Sequence, residues 1–384
     1  MDPFVHLHVA SGYSLQHGAS HPAALVERAA EHGMDTLALT DRDGMYGAVK
    51  FAKACQRAGV RPVFGVDLAF APGPVDRASS RAAPVRRTPA RGGAFTEPGN
   101  VALPRAVLLA RDGRGWAALC RLVSATHLAG ERGRPVSTLA LVAEHAGTAA
   151  AAGSVAVLLG PASELGRALA LRRPDLARAY LDQWREVLGA DGVVVEVVSH
   201  RGPGAAGRAA RMVGFAAQVR ATAVLTNVVR YADRSDAPVA DVLDASRRLV
   251  ALDARHVDRV NAEAALLGGK EMGEVAAEIA RMAGQNDDGR ALLARTRAEA
   301  DRCAVDPRAD LGMGEVHFPE LVVAGGSSAA GVLRERCEAG FGRRAMPRDA
   351  RALTRLEEEL TVIDQLGYPA YFLTVADVVD LIKG

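Results

Sequence analysis

Cysteine is scarce in this chain of 384 residues, and the four present, Cys55, Cys120, Cys303 and Cys337, stand far apart with no CxxC pair. A disulfide framework and a zinc knuckle are therefore excluded as organising devices, and scattered reduced thiols suit a cytoplasmic protein. An excess of one charge is missing too: Lys+Arg 47 against Asp+Glu 45 leaves a formal net charge of +2. No overall pull toward nucleic acid or a membrane follows, so any such contact has to be local. No apolar run approaches the roughly 18 residues of a membrane span, and Met1-Asp2-Pro3 lacks the basic-then-apolar order of a signal peptide. The expectation is a soluble, cytoplasmic protein without membrane contact. What the chain does have is 49% hydrophobic residues, enough to fill a sizeable core, over a length that suits two domains or one large barrel with an appendage.

The opening stretch, Phe4 to Gly18, organises the rest. Val5, Leu7 and Val9 alternate with His6, His8 and Ala10, so a strand is expected with both histidines on one face. Ser20 is expected to cap a helix carrying Pro22 in its first turn and ending at Gly33. Thr36 to Thr40 reads as a strand running into the loop Asp41-Arg42-Asp43-Gly44, followed by a helix closed by Gly59 and a third strand from Val60 to Val66, ended by Asp67. Strand and helix then alternate with short connections, the pattern of parallel βα units. Ala71 to Pro104 breaks the rhythm with Pro, Gly, Ser and five arginines, and reads as a mobile surface insertion, for which a solvated loop is the commoner reading and a phosphate-backbone contact the sharper one.

Further strands are expected at Ala106–Ala110, Val155–Leu159, Val193–Val198 and Thr222–Thr226, about seven in all, which suits a closed or nearly closed barrel of the TIM type. From Asp236 onward the pattern is helical only. His317-Phe318-Pro319 reads as an extended hinge; Leu353, Leu356, Leu360 and Ile363 stripe one helix, and Phe372, Val375, Val379 and Ile382 mark the buried face of the last. The domain boundary is placed in the composition shift between Cys303 and Phe318, dividing the chain into 1–304 and 305–384. The end at Gly384, with that last helix barely finished, has the look of a truncation.

In a barrel, chemistry sits at the C-terminal ends of the strands. His8, His17, Asp41, Asp67, His200 and Asn227 fall there, with Glu196 inside a strand. Converging histidines and carboxylates bind divalent metals and activate water for phosphoester cleavage. The bland alternatives are a satisfied core histidine, and an aspartate that accepts bonds from a helix N-terminus.

The opening stretch, Leu39-Thr40-Asp41 with Gly44-Met45, Arg61 to Asp67, and Leu225-Thr226-Asn227 with Arg230-Tyr231 together resemble the polymerase and histidinol phosphatase (PHP) domain of bacterial DNA polymerase III alpha subunits, the C-family polymerases. Arg355 to Leu360 and Gly367 to Asp377 are similar to the segment that begins the palm domain of that family, and they are the most specific part of the match. The resemblance implies a PHP-type (β/α)7 TIM-like barrel followed by a mainly helical, partial palm.

Metal-binding members of the family read His-x-His in the first strand, which here is His8 and Ala10. The acidic ligand a few residues on is His17; the histidine after Thr-Asp is Arg42; the carboxylate of the third strand is kept as Asp67. The histidine of the fourth strand falls on Arg105, the usual cysteine falls near Gly160 or Pro161, and the final Asp-x-His is Val228 and Arg230. His8, His17 and Asp67 are the weak metal candidates left. Guanidinium groups at 42, 105 and 230 repel a divalent cation and are expected to satisfy Asp67 and Asp41 as ion pairs. The expectation is a degenerate, metal-free barrel without a cofactor of its own.

The polymerase aspartates, with their Mg2+, are expected after Gly384; Asp377 and Asp380 are expected to face solvent. The resemblance thus implies the N-terminal part of a DNA polymerase acting in replication or error-prone repair, a nucleotidyltransferase. Its partners would be the rest of the polymerase chain, DNA, and replisome or mutasome proteins. The alternative is a stand-alone metal-dependent phosphoesterase or 3′-5′ exonuclease, whose mark would be manganese-dependent hydrolysis.

Overall fold

The structure is a computed structural model that describes residues 3–73, 103–131, 133–257, 259–314, 328–343 and 349–383. Most of the expected insertion (residues 74–102) and the expected hinge at His317-Phe318-Pro319 lie outside the described residues. Two compact units divide the chain, Met1–Met313 and Gly314–Gly384. No helix is long and apolar enough to cross a membrane among the described residues.

The larger unit is built on six strands, β1 (Thr36–Arg42), β2 (Arg61–Ala69), β3 (Arg105–Ala110), β4 (Val155–Leu159), β5 (Val193–Val198) and β6 (Thr222–Thr226), lying side by side in sequence order. β1 and β2 pair in parallel, as do β4 with β5 and β5 with β6. β3 is antiparallel to both β2 and β4, so the expected succession of parallel βα units holds on either side of β3 but not through it. The strands are almost continuously apolar because both faces are buried. One face, with Ala38, Val63, Val107, Leu109, Leu158, Val194 and Val224, gathers a residue from every strand into one cluster, as a sheet that curls on itself must. The other face packs under helices. Ala300 and Cys303, from the end of the helix Arg290–Arg302, join the inner cluster.

The opening segment lies between the two ends of this sheet, and a continuous strand is not what forms there. Ala38 N–H donates to His6 O at 3.0 Å and Thr40 N–H to Val9 O at 2.8 Å, so three steps along the opening segment are matched by two along β1. On its other side Val229 N–H donates to His8 O (2.9 Å) and Ala10 N–H to Val229 O (2.8 Å). The extra residue is a bulge, and a bulge turns the side chains that follow it to the other face. Val5 and Leu7 enter the inner cluster while Val9 enters the outer one. The two histidines consequently part: His6 Nε2 donates outward to Leu267 O (2.8 Å), whereas His8 turns inward to Glu196. Their expected common face is corrected by that one inserted residue.

Two smaller expectations also change. His21, not Ser20, caps the helix Pro22–Glu31, accepting from Ala23 N–H; Ser20 Oγ accepts from Ala232 N–H (2.8 Å) and so ties the first loop to the chain after β6. β2 runs on to Ala69, which places Asp67 inside the strand and not at its close.

The smaller unit contains helices Ala329–Arg343, Ala350–Gln365 and Pro369–Lys383, packed through Leu333, Leu360 and Leu373 with Leu356, Cys337 and Ile363 around them. Asp349 caps the second by accepting from Ala352 N–H at 2.7 Å. The face expected for the last helix is the wrong one: Leu373 is buried, whereas Phe372, Val375, Val379 and Ile382 are exposed. Apolar residues surround that helix on all sides, so their spacing singles out no face. Asp377 pairs with Arg336.

Candidate functional site

The register of the strands decides which polar side chains meet. Arg42 ends β1 directly beside Asp67 of β2. Asp67 lies opposite Val107 and Ala69 opposite Arg105. Counting by twos from the inner-face residues Ala38, Val63 and Val107 puts Arg42, Asp67 and Arg105 on that same face. Because β3 runs antiparallel, its first residue, Arg105, reaches the rim where the parallel strands end. Glu196 and Thr226 follow in the same way from Val194 and Val224, and the bulge supplies His8.

At the centre, Arg105 Nε donates to both oxygens of Asp67 (3.0 Å each), and its Nη2 to Asp67 O (2.6 Å) and Asp43 Oδ1 (2.9 Å). Arg42 Nε donates to Asp67 Oδ2 at 3.2 Å. His8 Nδ1 donates to Glu196 Oε1 (2.7 Å), which also accepts from Thr226 Oγ1 (2.6 Å). His8 Nε2 stands 3.9 Å from Asp67 Oδ2, an electrostatic contact too long for a hydrogen bond. Gly160 makes the room for this, since a Cβ there would overlap the Glu196 carboxylate.

Burial works against charge throughout the cluster, and paired opposite charges overcome it. For His8, burial alone favours the neutral ring, but Glu196 and then Asp67 outweigh it and raise the pKa to about 9, so an imidazolium sits here at neutral pH. Asp67 is buried as well, yet Arg105, His8 and Arg42 hold its carboxyl far below the usual range. Burial brings Arg42 down to about 10, against the pull of Asp67.

The remaining expected residues do not join this cluster. Asp41 pairs with no arginine among the described residues: it accepts from Ser11 N–H (2.6 Å), Ser11 Oγ (2.9 Å) and Ser14 Oγ (2.7 Å), binding the opening loop to β1, and burial raises its pKa. Arg230 turns from Asp67 to Asp244, with two bonds of 2.8 and 3.0 Å, and donates to His17 O. This departs from the expected pairing because Asp244, on the helix Ala237–Arg248, offers both carboxylate oxygens to the planar guanidinium. His17 is buried with no hydrogen-bond partner on Nδ1 among the described residues. Burial first, then Arg42, Arg230, Arg247 and Arg105, keep it neutral. His200 Nε2 donates to Asn227 O (2.6 Å), and Asn227 Nδ2 reaches Glu263 O and Ala265 O. Ala10 is buried, and Val228 has a φ of 44°, a left-handed value unusual for a β-branched residue. Sequence reasoning missed Asp43 and Asp244 as partners of Arg105 and Arg230. Asp43 carried a signal in its place beside Arg42, whereas Asp244, on a helix after the last strand, carried none.

A divalent cation at this rim would need donors from Asp67 and His8. Asp67 is faced by two guanidinium groups, whose fixed positive charge repels a cation at that carboxylate, so the residues present do not fit a metal. Among the described residues no group of three or more His, Cys, Asp or Glu is arranged to hold one.

Comparison with known proteins matches residues 6–200 to the PHP domain family and residues 331–384 to the family described as bacterial DNA polymerase III alpha NTPase domain. An error-prone DNA polymerase of Nocardia farcinica is 33% identical over 98% of this chain and 34% of its own length. A DNA polymerase III subunit alpha of Saccharopolyspora erythraea is 27% identical over 98% of this chain and 31% of its own. The chain thus spans about one third of the length of the curated relatives it matches. Among solved structures, an amidohydrolase from Chromobacterium violaceum aligns with 59% of this chain and 87% of its own, at 18% identity and a TM-score of 0.33.

Proposed function

The chain belongs to the PHP-domain family, and from that premise we propose that it is the N-terminal part of a DNA polymerase III alpha-type enzyme in which the PHP unit serves as a metal-free scaffold. The polymerase reading is supported by the likeness over 98% of the chain to proteins named error-prone DNA polymerase or DNA polymerase III subunit alpha, and by the second family match at 331–384. On this reading DNA and the remainder of the polymerase are its partners, with replisome or mutasome proteins beyond them, and the magnesium aspartates belong to the remainder.

The observation that carries the scaffold reading is Asp67 clasped between Arg42 and Arg105. Two guanidinium groups, with the His8 imidazolium, supply the positive charge that a metal cluster would otherwise bring to this rim. The pairing cross-links β1, β2 and β3, and His8 with Glu196 and Thr226 extends it to β5 and β6. We read the whole as a (β/α)7 barrel closed by the opening segment, which hydrogen-bonds to β1 on one side and to Val229, after β6, on the other.

Elemental analysis of the dialysed 384-residue chain tests the scaffold reading: no stoichiometric zinc, manganese or magnesium is expected. One equivalent of tightly held metal, or manganese-dependent release of nucleotides from a DNA 3′ end that Asp67→Asn abolishes, would replace it with the phosphoesterase reading. Primer extension by the parent protein tests the polymerase reading separately.

A further inference from the structure

On the same rim, beside the cluster, lies a cavity of about 590 Å3. The chain after β4 (Pro161), the ends of β5 and β6 (Val198, His200, Arg230) and one face of the helix Ala205–Gln218 enclose it. Its wall is mostly aliphatic, with Leu169, Ala170, Ala209, Met212 and Val260 among its members. Among the described residues that line it, four are arginines and none is Asp or Glu.

Two of those charges are already spent. Arg230 is held by Asp244 (2.8 Å) and Arg259 by Asp241 (2.7 Å). The other two, Arg208 and Arg211, have no carboxylate partner among the described residues; Arg208 Nη1 donates only to Pro203 O, at 3.2 Å. They are three residues apart on one helix and therefore neighbours on its surface. His200 adds an acceptor: its Nε2 donates to Asn227 O, which leaves Nδ1 with a lone pair in the neutral ring.

We propose that this cavity binds a nucleoside phosphate, with the phosphate at Arg208 and Arg211, the base against the aliphatic wall, and a base N–H donating to His200 Nδ1. Two unpaired guanidiniums call for an anion, and phosphate oxygens match their fork of donors. Inorganic phosphate leaves the apolar wall bare. A sugar phosphate sets hydroxyls against aliphatic carbons that offer them no partner. A flat base buries its faces and has an N–H edge to spare, and the volume lies within the about 300–1,000 Å3 of small-ligand sites. The source of the group is either a free nucleotide or the end of a DNA strand. The inference stands apart from both the metal-free and the polymerase readings, because none of its residues is part of the Asp67 cluster.

Isothermal titration calorimetry on the 384-residue chain tests it with deoxyadenosine monophosphate, a short 5′-phosphorylated single strand and inorganic phosphate. Saturable binding of the mononucleotide identifies a free nucleotide; binding of the strand alone identifies a strand end. In the double variant Arg208→Ser/Arg211→Ser, whose exposed side chains form no ion pair among the described residues, the affinity should fall at least about tenfold, the loss of one charge-assisted hydrogen bond or more. Val260→Glu, which brings a carboxylate into the lining, should weaken it independently. Three results each overturn the proposal: no saturable binding of either nucleotide probe at millimolar concentration, inorganic phosphate binding as tightly as the nucleotide, or undiminished binding by the folded double variant.

Discussion

Buried charge is gathered at both ends of the sheet, and the two gatherings are built differently. At the end away from the rim, Arg111 follows β3 and donates from Nη2 (2.6 Å) and Nε (3.1 Å) to Glu299 on the helix Arg290–Arg302, and from Nη2 to Asp191 O. Both side chains are almost dry, 5% and 2% exposed. Leu225 N–H donates to Thr296 Oγ1 on the same helix, so β6 and the pair hold one element across the mouth of the inner core. At the rim, Arg42 and Arg105 keep 23% and 16% of their side-chain surface in water, and a titratable imidazole is added. The lower pair shows that this chain uses guanidinium–carboxylate contacts as plain fasteners where no chemistry is expected. The rim uses the same fastener at positions where the family resemblance led metal ligands to be expected, and adds a group that responds to pH.

That contrast is open to measurement. Glu299→Ala leaves the Arg111 guanidinium in a dry pocket with only the Asp191 carboxylate, 3.7 Å from Nη1, and should cost about 3 kcal/mol in urea unfolding, because a buried charge loses its hydrogen-bonded partner without regaining water. Replacing both partners, as Arg111→Met with Glu299→Leu, should recover most of that loss. Asp67→Ala should cost less, about 2 kcal/mol, since Arg105 keeps its bonds to Asp43 and to the backbone carbonyl of residue 67, and Arg42 can turn to solvent. Equal costs for Glu299→Ala and Asp67→Ala would erase the distinction between a dry fastener and a wet one.

The next effect is one only the rim should show. His8 has a folded pKa of about 9 against an ordinary 6.5. Its contribution to stability is therefore complete below the ordinary value and is lost as pH rises through about 9. Asp67 is shifted down, so its contribution is present above the ordinary carboxylate value and fades as pH falls through its folded one. Thermal melts across alkaline pH should show a decline that Glu196→Gln largely removes; an unchanged decline in that variant would detach His8 from it. The smallest change is Asp41→Asn, which weakens three bonds to the opening loop and should cost about 1 kcal/mol, read as faster amide exchange at Ser11 and Ser14.

Much of this was legible in the residues. Six of the seven expected strands form, since a strand buried on both faces is a short apolar run bounded by loop residues, as Val155–Leu159 and Val193–Val198 are. Arg42 and Arg105 were expected as replacements within a family pattern and Asp67 as a retained member of it, and the three side chains meet. The fate of Arg230 was not legible: its partner, Asp244, lies on a helix after the last strand, and no spacing rule predicts that encounter. The parting of His6 and His8 was hidden as well, because perfect alternation in the sequence says nothing of an unmatched residue in the pairing.

By itself the sequence determined the kind of protein: strands from apolar runs, helices from periodicity and caps, and arginines at a strand-end site where the resemblance implies histidines. These follow from local chemistry, in which each residue constrains its neighbours along the chain. Only the tertiary structure decided that β3 would run antiparallel and bring Arg105 to the rim, that a bulge would send His8 inward, and that Arg208 and Arg211 would border a cavity with no carboxylate among its described lining residues. Direction, register and enclosure are properties of pairs of segments distant along the chain, fixed when buried hydrogen bonds and apolar faces are satisfied together.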